Sequence, residues 1–139
     1  MRPPELTDTK WMVEAYADYP PTPKNGGLIA DTDVRNWVRR WIYRDDEICL
    51  VKELSGNPVG FITYRVGPYV GVVAQVIVHP DFRKQGHASA MINEVIQILF
   101  DKGVLVATFQ TLGGTLQKTF GRDGVVTVDE AEKIMRGTQ

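Results

Sequence analysis

The chain has 139 residues, with 16 Lys and Arg against 17 Asp and Glu, a net charge of -1 and 43% hydrophobic residues. That size and balance suit one globular domain, residues 1–139, with a buried core. The even charge offers no broad field for nucleic acid or an anionic membrane, no apolar run approaches the ~20 residues that span a bilayer, and Met1 to Glu5 has no signal-peptide core. A cytoplasmic protein with neither nucleic-acid nor membrane partner is the expectation. The one cysteine, Cys49, lies in the apolar run Ile48 to Val51 and reads as a buried structural thiol with no intrachain disulfide. No metal site is expected, because His79 and His87 have no Cys or carboxylate partners at ligand spacing.

In chain order, Thr7 or Asp8 can cap a first helix running toward Tyr19, with Trp11, Val13, Ala15 and Tyr16 as candidate buried positions. The breakers from Pro20 to Gly27 read as a loop. Asp31 or Thr32 caps a second helix, whose Val34, Trp37, Val38, Trp41 and Ile42 form one apolar stripe. Ile48 to Leu54 and Val59 to Val66 are β-rich runs around the turn residues Ser55 to Pro58, the pattern of an antiparallel hairpin. A third strand is expected over Gly71 to Val78. Ala88, Met91, Ile92, Val95, Ile96 and Leu99 then carry a helical period that Gly103 is placed to end. Val104 to Thr108 reads as a strand, Gly113 to Phe120 as a short final helix, and Gly124 to Val128 as a last strand before a charged tail from Asp129. Val125 to Val128 would lie at a sheet edge, open to pairing between subunits as a homodimer or to finishing the monomer's sheet.

The most informative stretch is Val72 to Ile92. An apolar strand meets His79, Pro80, Asp81 and Phe82, then the basic, glycine-bearing loop Arg83, Lys84, Gln85, Gly86, His87, Ala88, Ser89, which opens a helix. A helix N-terminus leaves its first N–H groups unpaired and carries about half a positive charge, so it accepts anions such as phosphate. The spacing Arg-x-x-Gly-x-Ala, preceded by Val-His-Pro at 78–80, resembles the acyl-CoA loop of the GNAT superfamily of N-acetyltransferases. The element order is similar to that family's too, except that Met1 to Leu6, with two adjacent prolines, suits at best an edge strand where the family has its first strand.

The resemblance implies an α/β (α+β) fold, a mixed, mostly antiparallel central sheet flanked by helices. It implies acetyl-CoA as cosubstrate, with the loop amides of Arg83 to Ser89 on the pyrophosphate and the backbone of Val76, Ile77 and Val78 along the pantetheine arm. It also implies an amine acceptor, small molecule or protein, entering between Tyr19–Leu28 and the hairpin. Gln110 falls where the family has an asparagine and retains an amide that could hold the pantetheine arm.

Acetyl transfer needs a neutral amine, and a lysine ammonium has a pKa of about 10.4, so a base, a proton-wired water or a desolvating pocket is required. Many members of the family use a strand glutamate or a tyrosine in the last helix. Here Val72 to Val76 carry no carboxylate, and the expected tyrosine falls on Gln117. The remaining catalytic candidates are Gln75, which could orient a water, Tyr64 and Tyr69, which compete with a plain strand-tyrosine role, and His79, whose imidazole competes with a scaffold role. Two functions stay open: an acetyl-CoA-dependent N-acetyltransferase working by direct attack, and a catalytically silent GNAT-fold binding or structural protein, such as a phage-encoded internal virion or host-interaction protein.

Overall fold

The structure is a computed structural model that describes residues 1–16, 31–44, 46–110 and 117–137. A six-stranded sheet in sequential order β1 (Ile48–Leu54), β2 (Asn57–Val66), β3 (Val70–Val78), β4 (Val106–Gln110), β5 (Gln117–Gly121) and β6 (Gly124–Val126) forms its centre. All neighbours run antiparallel except β3 and β4, which are parallel and joined by helix α3 (His87–Asp101). Parallel neighbours require such a crossover, whereas the β1–β2 turn needs only Ser55 at φ 53 and Gly56 at φ 83.

Helix α3 packs one sheet face with Met91, Val95 and Leu99, each fully buried against Ile62, Val73 and Ala107. Each such side chain contributes roughly 1.5–3 kcal/mol of burial. Gly71 lets α3 approach: a Cβ there would lie 2.6 Å from Leu99 Cδ2. Lys102 caps the helix and Gly103, at φ +96, turns the chain away.

The other face is covered by α1 (Thr9–Ala15) and α2 (Asp31–Tyr43), which bury Met12, Ala15, Val34, Val38 and Trp41 against Cys49, Val51, Phe61 and Ile77. Burial also pushes the Cys49 thiol pKa far up, with the Glu47 and Asp8 charges adding to it. The N-terminus makes one bridge, Arg2 with Val51 of β1. Arg2 also grips Asp8 with its two terminal guanidinium nitrogens, at 2.8 and 2.9 Å, and bonds Glu53 through Nε.

Three expectations need correction. The first helix begins as a 3₁₀ turn, Leu6–Asp8, before α1, and Asp8 spends its carboxylate on Arg2, Trp11 and the Glu5 N–H rather than on capping α1. Gln117–Gly121 is a strand and not part of a final helix, because β4 and β6 pair with both its edges; residues 113–116 lie outside the described residues. The charged tail from Asp129 is helix α4 (Val128–Arg136), started by a reciprocal cap in which the Thr127 hydroxyl accepts from Glu130 N–H and the Glu130 carboxylate accepts from Thr127 N–H. Helix α4 packs on β5 and β4 over Val106, Thr108 and Thr119, and the strand register sets these opposite α3. The expected loop Pro20 to Gly27, the extension to Tyr19, and the acceptor entrance over Tyr19–Leu28 lie outside the described residues.

Candidate functional site

Strand β3 has two partners at its start and one at its end. Among the described residues its pairing with β4 ends at Val73 and Phe109, whereas its pairing with β2 continues to Val78. Between these regimes the β2–β3 register slips, Thr63 facing Gln75 and Tyr64 facing Val73, so Ala74 is an extra residue bulging from β3. Beyond the bulge His79 N–H donates to Val59 O at 2.8 Å. Main-chain groups alternate along a strand, so those of Val76 and Val78 turn away from β2, and Val78 O accepts from Arg83 Nε at 2.9 Å.

That free flank of β3 borders a cleft of about 350 Å³ lined by Val76, Val78, Phe82, Arg83, Lys84, Gly86, His87, Ala88 and Ser89. The loop reaches it through two left-handed residues, Lys84 at φ 62 and Gly86 at φ 83. Gly86 is the N-cap of α3 and brings no capping side chain, and the first helical bond is Ala90 N–H to Gly86 O at 3.1 Å. The helix therefore offers no partner to the N–H groups of His87, Ala88 and Ser89, three of the residues that line the cleft. Donors without a partner among the described residues, the positive end of a 15-residue helix and the Lys84 side chain make a place that an anion can occupy.

The residues singled out from sequence distribute unevenly around this cleft. Ile77 points into the core under α1 and α2, and its backbone faces β2, as strand alternation demands. Gln85 is exposed and outside the lining. Arg83 is turned inward, with Nη2 donating to Ala15 O at 3.1 Å as well as Nε to Val78 O. Gln110 ends β4 opposite Gln117 of β5.

The catalytic candidates scatter. Tyr64 is 4% exposed on the α3 face, where burial pushes its hydroxyl pKa up. Tyr69 lies beyond the opposite end of β3 from the loop, where its carbonyl receives Leu105 N–H at 2.8 Å and so starts β4. Both ring nitrogens of His79 are engaged: Nδ1 accepts from Asp81 N–H and Nε2 bonds Glu14 Oε2, each at 3.2 Å. Gln75 stays beside the bulge on the α1 face, and its Oε1 accepts from the Tyr16 hydroxyl. Tyr16 was legible only as a buried position; nothing local in the sequence announces a polar contact.

Residues 12–113, most of the chain, match the model of the acetyltransferase (GNAT) family. This chain belongs to the GNAT acetyltransferase family. It is 35% identical over 66 residues to an acetyltransferase of Yersinia enterocolitica, covering 48% of this chain and 47% of that protein. It is 31% identical over 75 residues to an uncharacterized N-acetyltransferase of Methanocaldococcus jannaschii, covering 48% of this chain and 33% of that one. The chain thus spans less than half the length of these curated relatives. Among solved structures it resembles PaiA N-acetyltransferase from Thermoplasma acidophilum in complex with coenzyme A, with TM-score 0.60, 15% identity, and coverage of 82% of this chain and 80% of that one. It also resembles a ribosomal-protein-alanine N-acetyltransferase from Brucella melitensis, with TM-score 0.62, 18% identity, and coverage of 99% and 81%. At such identities these structures speak for the fold: a mixed six-stranded sheet between helices is the GNAT architecture. Among the described residues no helix is long and apolar enough to cross a membrane, and no cluster of His, Cys, Asp or Glu could hold a metal ion.

Proposed function

We propose that this GNAT chain is an acetyl-CoA-dependent N-acetyltransferase that moves an acetyl group onto an amine of a small molecule or protein by direct attack. The observation that carries it is the cleft itself, where the free flank of β3 leads into the unpaired amides of His87, Ala88 and Ser89. A pyrophosphate would lie on those amides, assisted by Lys84. The pantetheine arm would take the main-chain groups of Val76 and Val78, which already point that way. Arg83 would then support the site from behind by tying Val78 to α1. Binding across such fixed groups holds the thioester in one place for the amine, which is where most of the rate gain of a two-substrate transfer arises.

A second reading has its own observation. Tyr64 is turned to the α3 face, Tyr69 sits at the wrong end of β3, and both nitrogens of His79 are occupied. A GNAT fold kept for binding, without turnover, would look the same at these residues. Calorimetric titration with acetyl-CoA followed by an amine-dependent thiol-release assay separates the cases. Saturable binding with thiol release supports the enzyme, saturable binding alone supports the silent protein, and no binding by the folded chain removes the cofactor site. Cytoplasmic residence and a homodimer paired through the β6 edge, where Val125 is exposed, belong to the same proposal and are read by fractionation and sedimentation.

A further inference from the structure

Helix α1 ends against the strand and loop that build the cleft, and three consecutive residues make the contact. Glu14 Oε2 bonds His79 Nε2 at 3.2 Å, Ala15 O accepts from Arg83 Nη2 at 3.1 Å, and the Tyr16 hydroxyl donates to Gln75 Oε1 at 2.5 Å. The partners are 65, 68 and 59 residues away in sequence. Tyr16 is 5% exposed, its ring edge-on to Trp37 at 5.7 Å and to Phe61 at 5.9 Å. A phenylalanine would fill that space with no hydroxyl to satisfy.

Gln75 follows the bulged Ala74 and lies two residues past the last position at which, among the described residues, β3 pairs with β4. Directly across the sheet is Thr63, fully buried, whose Oγ1 has no hydrogen-bond partner among the described residues. A buried polar group is costly unless paired, and a valine in place of Thr63 would pack this face without that cost. The Thr63 hydroxyl therefore stands beside the bonded Tyr16–Gln75 pair, where β3 loses its β4 partner among the described residues, against the stability preference of the surrounding core.

We propose that Tyr16 is a positioning residue for acyl transfer that acts through Gln75. By occupying Oε1, its hydroxyl fixes the carboxamide and leaves the two Nε2 hydrogens to donate to the thioester carbonyl oxygen. This rests on the acetyltransferase function proposed above. In the step served, the neutral amine nitrogen bonds to the thioester carbon and the carbonyl electron pair moves to oxygen, where Gln75 donates. The pair then returns, the C–S bond breaks with its electrons on sulphur, the nitrogen proton goes to water, and the thiolate takes a proton from water. The bonds from Glu14 and Ala15 hold the end of α1 against β3, so the phenol and the carboxamide stay in register.

The test compares Tyr16→Phe, Gln75→Leu and the double variant for acetyl-CoA affinity by calorimetry and for kcat and KM by thiol release with putrescine, a peptide bearing a free α-amine, and lysine ethyl ester. Both single variants are expected to keep acetyl-CoA affinity and acceptor KM within about twofold while kcat falls roughly 10- to 100-fold, and the double variant is expected to fall no further than the worse single one. A merely structural Tyr16 would leave kcat intact or move KM with it. Full kcat in Tyr16→Phe or losses that multiply in the double variant overturn the proposal and leave the acetyltransferase function standing, whereas a wild-type protein that binds acetyl-CoA yet releases no thiol with any of the three amines strikes that function and leaves the cofactor site standing. Failure of the wild-type protein to bind acetyl-CoA also strikes the function on which the proposal rests.

Discussion

Gly86→Asp places a carboxylate at the N-cap of α3, where the proposed pyrophosphate would sit, and Gly86→Asn places a neutral side chain of nearly the same shape there. Both replacements must adopt φ +83, a left-handed conformation that costs an L-residue about 1–2 kcal/mol, less for Asn and Asp than for other residues. Steric conflict is absent, since a Cβ at Gly86 meets nothing within 4 Å. Backbone strain is thus common to the pair and charge is the difference. With an effective dielectric of about 20, a carboxylate 8 Å from a phosphate charge repels it by about 2 kcal/mol, and at 4 Å by about 4 kcal/mol. The smaller figure alone weakens binding about 30-fold. Calorimetric titration of both variants with acetyl-CoA at low salt should show Asn close to wild type and Asp weaker by at least that factor, with the gap narrowing as salt rises. Melting temperatures of the two should agree, because Asp at an N-cap is no worse than Asn. Equal affinities for Asp and Asn would refute the anion site at this helix end.

Other outcomes follow from the core. Gly60→Ala should destabilise by about 1–3 kcal/mol and by more than Gly71→Ala, because its Cβ meets the backbone oxygen of Ile77 at 2.7 Å whereas Gly71 meets the movable Leu99 side chain; urea midpoints rank the two. Thr63→Val should raise stability by about 1 kcal/mol in the same assay, because it removes a buried hydroxyl that has no partner among the described residues. Asp8 tests the electrostatics. Burial alone would push its carboxyl up, but hydrogen bonds from Arg2, Trp11 and the Glu5 N–H together hold it below its ordinary 3.8. A depressed carboxyl stabilises the fold above the ordinary value and loses that contribution as pH falls through the lowered one. Asp8→Asn should therefore cost about 2 kcal/mol at neutral pH and nothing in strong acid, read from urea unfolding across that range; a pH-independent difference would show that the carboxylate is not what Arg2 holds.

What could be seen in the sequence was whatever is written locally. The β1–β2 hairpin, α2 and α3 follow from turn residues and from apolar spacing that only one period fits. Gln117 to Phe120 resisted because Gln-Lys-Thr-Phe has little apolar alternation, and strand identity there comes from the neighbours β4 and β6. Helix α4 is also written locally: Thr127 and Glu130 stand at capping-box spacing, and Ala131, Ile134 and Met135 keep a helical period amid charges. The loop from Arg83 to Ser89 could be picked out as a possible anion site because it joins an apolar strand to a helix. Which strand residues open onto it could not, since alternation across the Ala74 bulge decides that Val76 and Val78 face the cleft and Ile77 the core.

The sequence by itself therefore determined the family and the strand–loop–helix at its heart, because turn geometry, helix starts and apolar periods are set by residues a few positions apart. Only the tertiary structure decided which polar side chains stand beside that loop. Arg83 turns inward to Ala15, His79 is bonded to Glu14, and Gln75 receives the hydroxyl of Tyr16, a residue that by spacing alone is one more buried aromatic. Those contacts join α1 to β3 and its loop across most of half the chain, and no local pattern encodes a hydrogen bond whose partners meet only when the sheet is covered.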